Sequence, residues 1–340
     1  RYYILASIVS LCYLSFISVQ LKLITTKIHT TAAADASATN KYLFFRVGTQ
    51  TARTTKIVKP TSTQKIKTQE HQQQQQNLNH QRHPKYKMPI NKVVILRHGE
   101  SEFNKLNLFC GWHDAPLTEK GLEDALKIAV TGLRLHNMQF DFIYTSLLQR
   151  AHQTVNVIKK EMNYENVPVI YDWRLNERHY GNLTGFNKRQ VANKYGEEKV
   201  QIWRRSFDVL PPPITPDNPY YDKIRNNPKF KDIPKDQFPD NESLKTLMLR
   251  TVPLWENEIM PKVLKGQKVL IVAHGTVVRA LMKYIEDISD EDIMKLNIPN
   301  SVPCVYQYDM ELGMRVDNVQ YLADEDYVKR ESAKVASIGN

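Results

Sequence analysis

From Lys92 onward, short apolar runs alternate with longer amphipathic stretches. The runs are mostly apolar, which suits strands covered on both sides. They are Val93–Leu96, Phe140–Tyr144, Val167–Tyr171 and Val269–Ala273, with Val305–Tyr308 expected as a later strand at a sheet edge. The stretches between them read as crossover helices. Thr118 with Glu119 opens one that runs through Ala125 and Ala129, Ser146 caps one that runs through Val155 and Ile158, and Thr276–Tyr284 follows a strand directly. The pattern predicts an α/β fold of three layers, a mostly parallel central sheet flanked by helices. Pro211-Pro212-Pro213 and the polar stretch to Asn241 interrupt the alternation and read as a functional cover or an unstructured insertion. With no repeat and no second core in the pattern, residues 88–340 are expected to form one domain.

The first 87 residues read differently. Tyr2 to Leu21 is uncharged, mostly apolar and about as long as a membrane span requires. It nevertheless contains Ser7, Ser10, Ser15, Ser18 and Gln20, and only Arg1 precedes it as a positive flank, which makes a mediocre anchor or signal peptide. The following stretch is rich in Thr, Ala, Lys and Gln, includes Gln72 to Gln76, and lacks any period that would bury a face; it is expected to be disordered. Met88-Pro89 stands immediately before the first convincing strand, and the expectation is that translation starts at Met88, residues 1–87 being an artefact of the gene model. A membrane role exists only if those residues are translated.

Charge sharpens this division. The net charge of +11 lies in residues 1–87, which hold 13 Lys and Arg against two Asp and Glu, and leaves 34 of each sign from Met88 onward. A neutral folded part gives no support to nucleic-acid binding. Cys12, Cys110 and Cys304 are far apart and form no C-x-x-C pair, which implies a reducing compartment and, with it, a cytoplasmic location. There is no H-E-x-x-H, clustered aspartate or cysteine spacing that implies a metal.

Candidate chemistry gathers where strands end, since ligands of parallel sheets collect outside the carboxyl ends of the strands. Two strands end in His-Gly: Val93–Leu96 runs into Arg97-His98-Gly99-Glu100-Ser101, and Val269–Ala273 into His274-Gly275-Thr276. This places two imidazoles and a guanidinium at one sheet edge. Arg150, in S-L-L-Q-R-A-H-Q-T, lies one helical turn past the strand Phe140–Tyr144 and can reach back over the same edge.

These residues resemble the cofactor-dependent phosphoglycerate mutases of the histidine phosphatase superfamily, whose mark is an R-H-G strand end with a second, distant histidine. The likeness covers nearly all of residues 88–340 and rests on L-R-H-G-E-S-E-F-N (Leu96–Asn104), R-L-N-E-R-H-Y-G (Arg174–Gly181), R-R-S-F-D-V (Arg204–Val209) before P-P-P, and A-H-G (Ala273–Gly275). It implies a phosphoglycerate mutase-like fold and interconversion of 3- and 2-phosphoglycerate, a step of glycolysis and gluconeogenesis, through a phosphohistidine on His98. A neutral imidazole nitrogen is a good nucleophile toward phosphorus. The transferring phosphoryl group spreads charge over three oxygens, so cationic donors around it do most of the work. Arg97, Arg150 and His274 match that need. Glu177 matches the residue that carries the proton to and from the substrate hydroxyl. For substrate binding the resemblance implies Arg178, Tyr180, Lys188, Arg204 and Arg205, with Ser101, Asn104, Cys110, Gly111, Gly275 and Thr276 completing the phosphate site. It further implies 2,3-bisphosphoglycerate as a diffusible primer without a metal, phosphoglycerates as the small-molecule partners, a homodimer, and a C-terminal cover formed after Asp317.

Two positions depart from the family pattern. Cys110 stands before Gly111-Trp112 where a hydroxyl residue is usual, and Thr276 follows A-H-G where Asn is usual. Each exchange removes or weakens a hydrogen-bonding group. A catalytically impaired paralogue that binds phosphoglycerates therefore stays open as an alternative, as does a bisphosphoglycerate mutase or phosphatase of the same superfamily.

Overall fold

The computed structural model describes residues 89–337. The apolar run Tyr2–Leu21, the Gln-rich stretch and the start at Met88 lie outside the described residues. At the centre is a six-stranded sheet ordered β3-β2-β4-β1-β5-β6. The strands are β1 (Ile90–Arg97), β2 (Phe142–Thr145), β3 (Val169–Tyr171), β4 (Val269–Ala273), β5 (Pro303–Asp309) and β6 (Gln320–Tyr321). β3, β2, β4 and β1 run parallel; β5 is antiparallel to β1, and β6 to β5. β5 is thus not an edge strand as expected. The two residues of β6 cover it, too short a run to leave an apolar signal of its own.

Alternation along the central strands explains the layers. Val93, Ile95, Val269 and Ile271 face one side with Leu247, Leu254, Val277 and Leu281. Val94, Leu96, Leu270 and Val272 face the other with Ala129, Leu133, Val155 and Ile158. The second layer holds α1, which begins at Glu119–Asp124 and continues through the wider π turns of Ala125–Val130 to Thr131–Leu135, and α2 (Gln149–Met162). Two further helices, α3 (Lys188–Tyr195) and α4 (Glu197–Arg205), pack on a smaller cluster around Phe109 and Trp203. The first layer holds α5, from Leu244–Leu254 through Trp255–Ile259 to Met260–Leu264, and α6 (Gly275–Glu286). Helix α7 (Glu325–Ser337) closes the described chain.

Thr118 caps α1 as expected, accepting from the amide of Gly121. Ser146 does not cap α2: the N-cap is Leu148, whose own amide donates to the serine hydroxyl, and that hydroxyl also meets His274. The insertion after Pro211 is ordered around a core of its own, in which Ile214, Ile224, Phe230 and Ile233 enclose Trp112 and Leu148. Its apolar residues sit on short helical turns such as Tyr221–Arg225 and Pro228–Phe230, so no long period appears in the sequence. Among the described residues no helix is long and apolar enough to cross a membrane.

The loop that leaves β1 crosses the first turn of α1 so closely that a Cβ on Gly121 would collide with the carbonyl of Glu100, and one on Gly99 with the carbonyl of Gly121. Helix propensity alone favours alanine over glycine by about 1 kcal/mol. The backbone collision outweighs it. Gly121→Ala is therefore expected to lower stability by about 2–3 kcal/mol and the thermal midpoint by about 5–10 °C, measured by calorimetry.

Candidate active site

β1 and β4 are paired in register, Val93 with Val269 through Arg97 with Ala273, so His98 and His274 leave the sheet side by side. Their rings meet edge to face with centroids 4.9 Å apart. The His98 backbone is held on both sides of the sheet edge: its N–H donates to the carbonyl of Ala273 (3.0 Å) and its carbonyl accepts from Asn300 Nδ2 (2.7 Å). The ring is 2.6 Å from the Gly99 carbonyl through Nδ1. A carbonyl only accepts, so Nδ1 carries the proton and the neutral ring keeps its lone pair on Nε2. Burial, then Arg150 and Arg97, push the His98 pKa well below the usual imidazole value, which keeps the ring neutral and nucleophilic.

The cleft in front of His98 is strongly cationic. Arg97, Arg150, Lys188, Arg204, Arg205 and Arg279 line it against one carboxylate, Glu177. Arg150 is almost fully buried, and its guanidinium is oriented by donating to the carbonyls of His113 (2.9 Å) and Gly111 (2.8 Å). Arg97 donates through Nη1 to the carbonyl of Ile298 (2.6 Å), while its buried Nε has no partner. A Cβ on Gly275 would press on that guanidinium, so glycine there lets the arginine lie against the first turn of α6. Burial lowers Arg97 to about 10 and Lys188 to about 7, with Arg204 the next cause at Lys188. The Lys188 ammonium donates to the carbonyl of Leu108 at 2.8 Å.

Glu177 spans the cleft: Oε1 accepts from the amide of Arg178 (2.7 Å) and Oε2 from the amide of Thr276 (3.4 Å). Its loop is clamped from behind by a pair that sequence reading missed. Arg250 and Glu242 are buried and joined twice, Nε to Oε1 at 2.7 Å and Nη2 to Oε2 at 2.9 Å. Arg250 also donates to the carbonyls of Arg174 (2.7 Å) and Glu177 (3.1 Å), and Glu242 accepts from the amide of His179 (2.8 Å).

Not every expected residue lies where the motif implied. Asn104, Cys110, Gly111, Tyr180, Gly275 and Thr276 line the cleft. Ser101 does not: fully buried, its hydroxyl caps the short helix Glu102–Lys105 together with Asn104. Arg178 lies beneath Tyr180, its guanidinium 4.5 Å from the ring centre, and donates to the carbonyl of Arg204 at 3.0 Å. The Cys110 thiol donates to the carbonyl of His113 (3.4 Å), which explains how a weak donor is tolerated there. Arg279 and Val335 were missed. Arg279 is four residues past Gly275 on α6, so helical spacing alone could have put it on the same face. Val335 comes from α7, and its carbonyl accepts from Arg205 Nη2 at 3.0 Å, tying the C-terminal helix across the cleft. Among the described residues no group of three or more His, Cys, Asp or Glu is placed to hold a metal.

Removing one partner of a buried ion pair leaves the other charge uncompensated. Arg250→Met should therefore cost about 3–5 kcal/mol in denaturant unfolding. Adding Glu242→Gln to that variant should restore more than about 1 kcal/mol, since the stranded charge is gone.

The profile of the histidine phosphatase superfamily (branch 1) matches residues 93–222 and 219–313. A protein of Borreliella burgdorferi named 2,3-bisphosphoglycerate-dependent phosphoglycerate mutase is 45% identical over 248 residues, which cover 73% of this chain and 98% of that protein. One of the same name from Treponema denticola is 46% identical over 252 residues, covering 73% of this chain and 98% of its own. Bacillus stearothermophilus YhfR has the same fold, with a TM-score of 0.50 at 23% identity over 67% of this chain and 96% of its own. A profile spanning most of the described residues, and relatives aligned over nearly their whole length, place this chain in the histidine phosphatase superfamily, branch 1.

Proposed function

We propose that this protein is a 2,3-bisphosphoglycerate-dependent phosphoglycerate mutase, interconverting 3- and 2-phosphoglycerate through His98. The observation that carries the reading is the bare Nε2 of a neutral His98, held beside Arg97 and Arg150 in a cleft of six cations and one carboxylate. Buried nitrogens without partners at Arg97 Nε, in the cleft, and at His274 Nδ1, on the ring packed against His98, suit an anionic ligand. When bound, 2,3-bisphosphoglycerate supplies the phosphoryl group that primes His98.

In the transfer, the substrate hydroxyl attacks phosphorus as the bond from phosphorus to Nε2 breaks, and the electron pair returns to the ring. Glu177 takes the hydroxyl proton and gives a proton back when His98 receives the other phosphoryl group. Arg97 and Arg150 stay charged throughout and stabilise the transferring oxygens. Lys188, Arg204 and Arg205 hold the remaining phosphate and the carboxylate, for which paired guanidinium donors are well shaped. The Thr276 amide still directs Glu177 and the Cys110 thiol is tied to the His113 carbonyl, so these two exchanges leave the cations and the acid of the cleft in place, which favours a working enzyme. Helix α7 across the cleft favours transfer to a hydroxyl over hydrolysis by restricting water. The same reading takes residues 88–340 as one catalytic domain and includes metal independence, a homodimer and a cytoplasmic location.

Turnover of 3-phosphoglycerate by the full chain should survive a chelator, rise with catalytic 2,3-bisphosphoglycerate and fall at least about 10⁴-fold in His98→Ala. Loss on chelation, or an active His98→Ala, would sink the reading. Lys188 is charged below about pH 7 and neutral above it in the free protein. The cleft thus loses a cation as pH rises, and kcat/KM should fall between pH 6 and 8. Lys188→Arg, which keeps its charge, should flatten that limb while His98, already neutral, adds none there.

A further inference from the structure

The hydroxyl of Ser146 lies 2.8 Å from His274 Nε2, fully buried and away from the cleft lining. A serine oxygen has one hydrogen to donate and two lone pairs. One lone pair already accepts from the amide of Leu148 at 3.1 Å, at the start of α2. Among the described residues His274 Nε2 is the one other polar atom bonded to this oxygen. If the serine accepted from Nε2, its own hydrogen would be buried without an acceptor, which is costly. The satisfied arrangement has Ser146 donate. Nε2 then holds the lone pair, and the proton of a neutral ring must sit on Nδ1.

Neutrality of His274 follows from its surroundings. Burial is the main cause, followed by Arg150 and His98, and together they push the ring well below the usual imidazole value. His274 Nδ1 has no partner among the described residues. An N–H left over at that nitrogen, on a ring packed against His98, is a donor waiting for an acceptor that the protein does not supply.

We propose that Ser146 is a positioning residue of the transfer reaction, its hydroxyl fixing His274 as the Nδ1–H tautomer so that a buried N–H is presented to the phosphoryl oxygens at His98. The proposal rests on the functional reading above and adds to it the group that decides which nitrogen of the second histidine carries the proton. The backbone of Ser146 is itself fixed, its carbonyl 2.6 Å from His152 Nε2. Its hydroxyl also ties His274 to α2, the helix that carries Arg150, so both groups are set from one point.

Ring-nitrogen NMR of the full-length protein with labelled histidine tests the tautomer directly. His274 should show a protonated, pyrrole-type Nδ1 and an unprotonated Nε2 in the wild type. In Ser146→Ala this pattern should be lost or averaged, with kcat for 3-phosphoglycerate falling about ten- to a hundredfold and KM changing less than about twofold. A wild-type ring protonated on Nε2 would overturn the proposal, as would a Ser146→Ala protein with unchanged ring nitrogens and kcat. A folded variant whose loss lies in KM would also overturn it, since that marks a binding role. Absent turnover in the wild type would overturn the functional reading alone, and the ring nitrogens would still decide the assignment to Ser146.

Discussion

The parallel pairing of β1 with β4 is the constraint on which the site depends. Because Arg97 is opposite Ala273, the residues that follow, 176 positions apart in the chain, emerge at one level with their rings in contact. A slip of one residue would turn every side chain of a strand to the opposite layer. That slip is forbidden by the core, since Val93 and Ile95 pack with α5 and α6 while Val94 and Leu96 pack with α1 and α2. Hydrophobic burial thus sets the position of the two histidines to within the stiffness of a sheet.

Around this fixed pair the protein concentrates positive charge and keeps it out of water. Burial lowers the proton affinity of Arg97, Lys188, Arg204 and Arg279, and only Lys188 is brought near neutral pH. Guanidinium groups remain cationic under the same stress, which is a physical reason for so many arginines in the cleft. Several are held by backbone carbonyls: His113 and Gly111 for Arg150, Ile298 for Arg97, Val335 for Arg205. A carbonyl orients a cation without cancelling its charge. Attraction for an anionic ligand is retained while the direction of each donor is fixed in advance.

Carboxylates are used sparingly and at one remove. Glu177 is the one acid in the cleft, and Glu242 is spent behind it on Arg250 and the amide of His179. This buried pair secures the loop bearing Glu177, so a single acid can face the cleft with both oxygens already directed by backbone amides.

The sequence by itself determined the layered α/β fold, because Val93–Leu96 and Val269–Ala273 are too apolar to be anything but buried strands. It also marked the candidate site, because R-H-G and A-H-G stand at the ends of two strands that the fold makes neighbours. Tertiary structure alone decided what depends on contacts distant in sequence. The ring-nitrogen proton of His98 follows from one carbonyl, Ser146 turns from an expected cap to a partner of His274, and Glu242 and Arg250 meet behind a loop neither belongs to. The edge position expected for β5 failed because two residues of β6 suffice to cover it, and the insertion after Pro211 hid its core because short turns have no long period. Periodicity reports which face is buried, whereas hydrogen-bond partners and the choice between cap, clamp and cleft are set only when the elements are packed together.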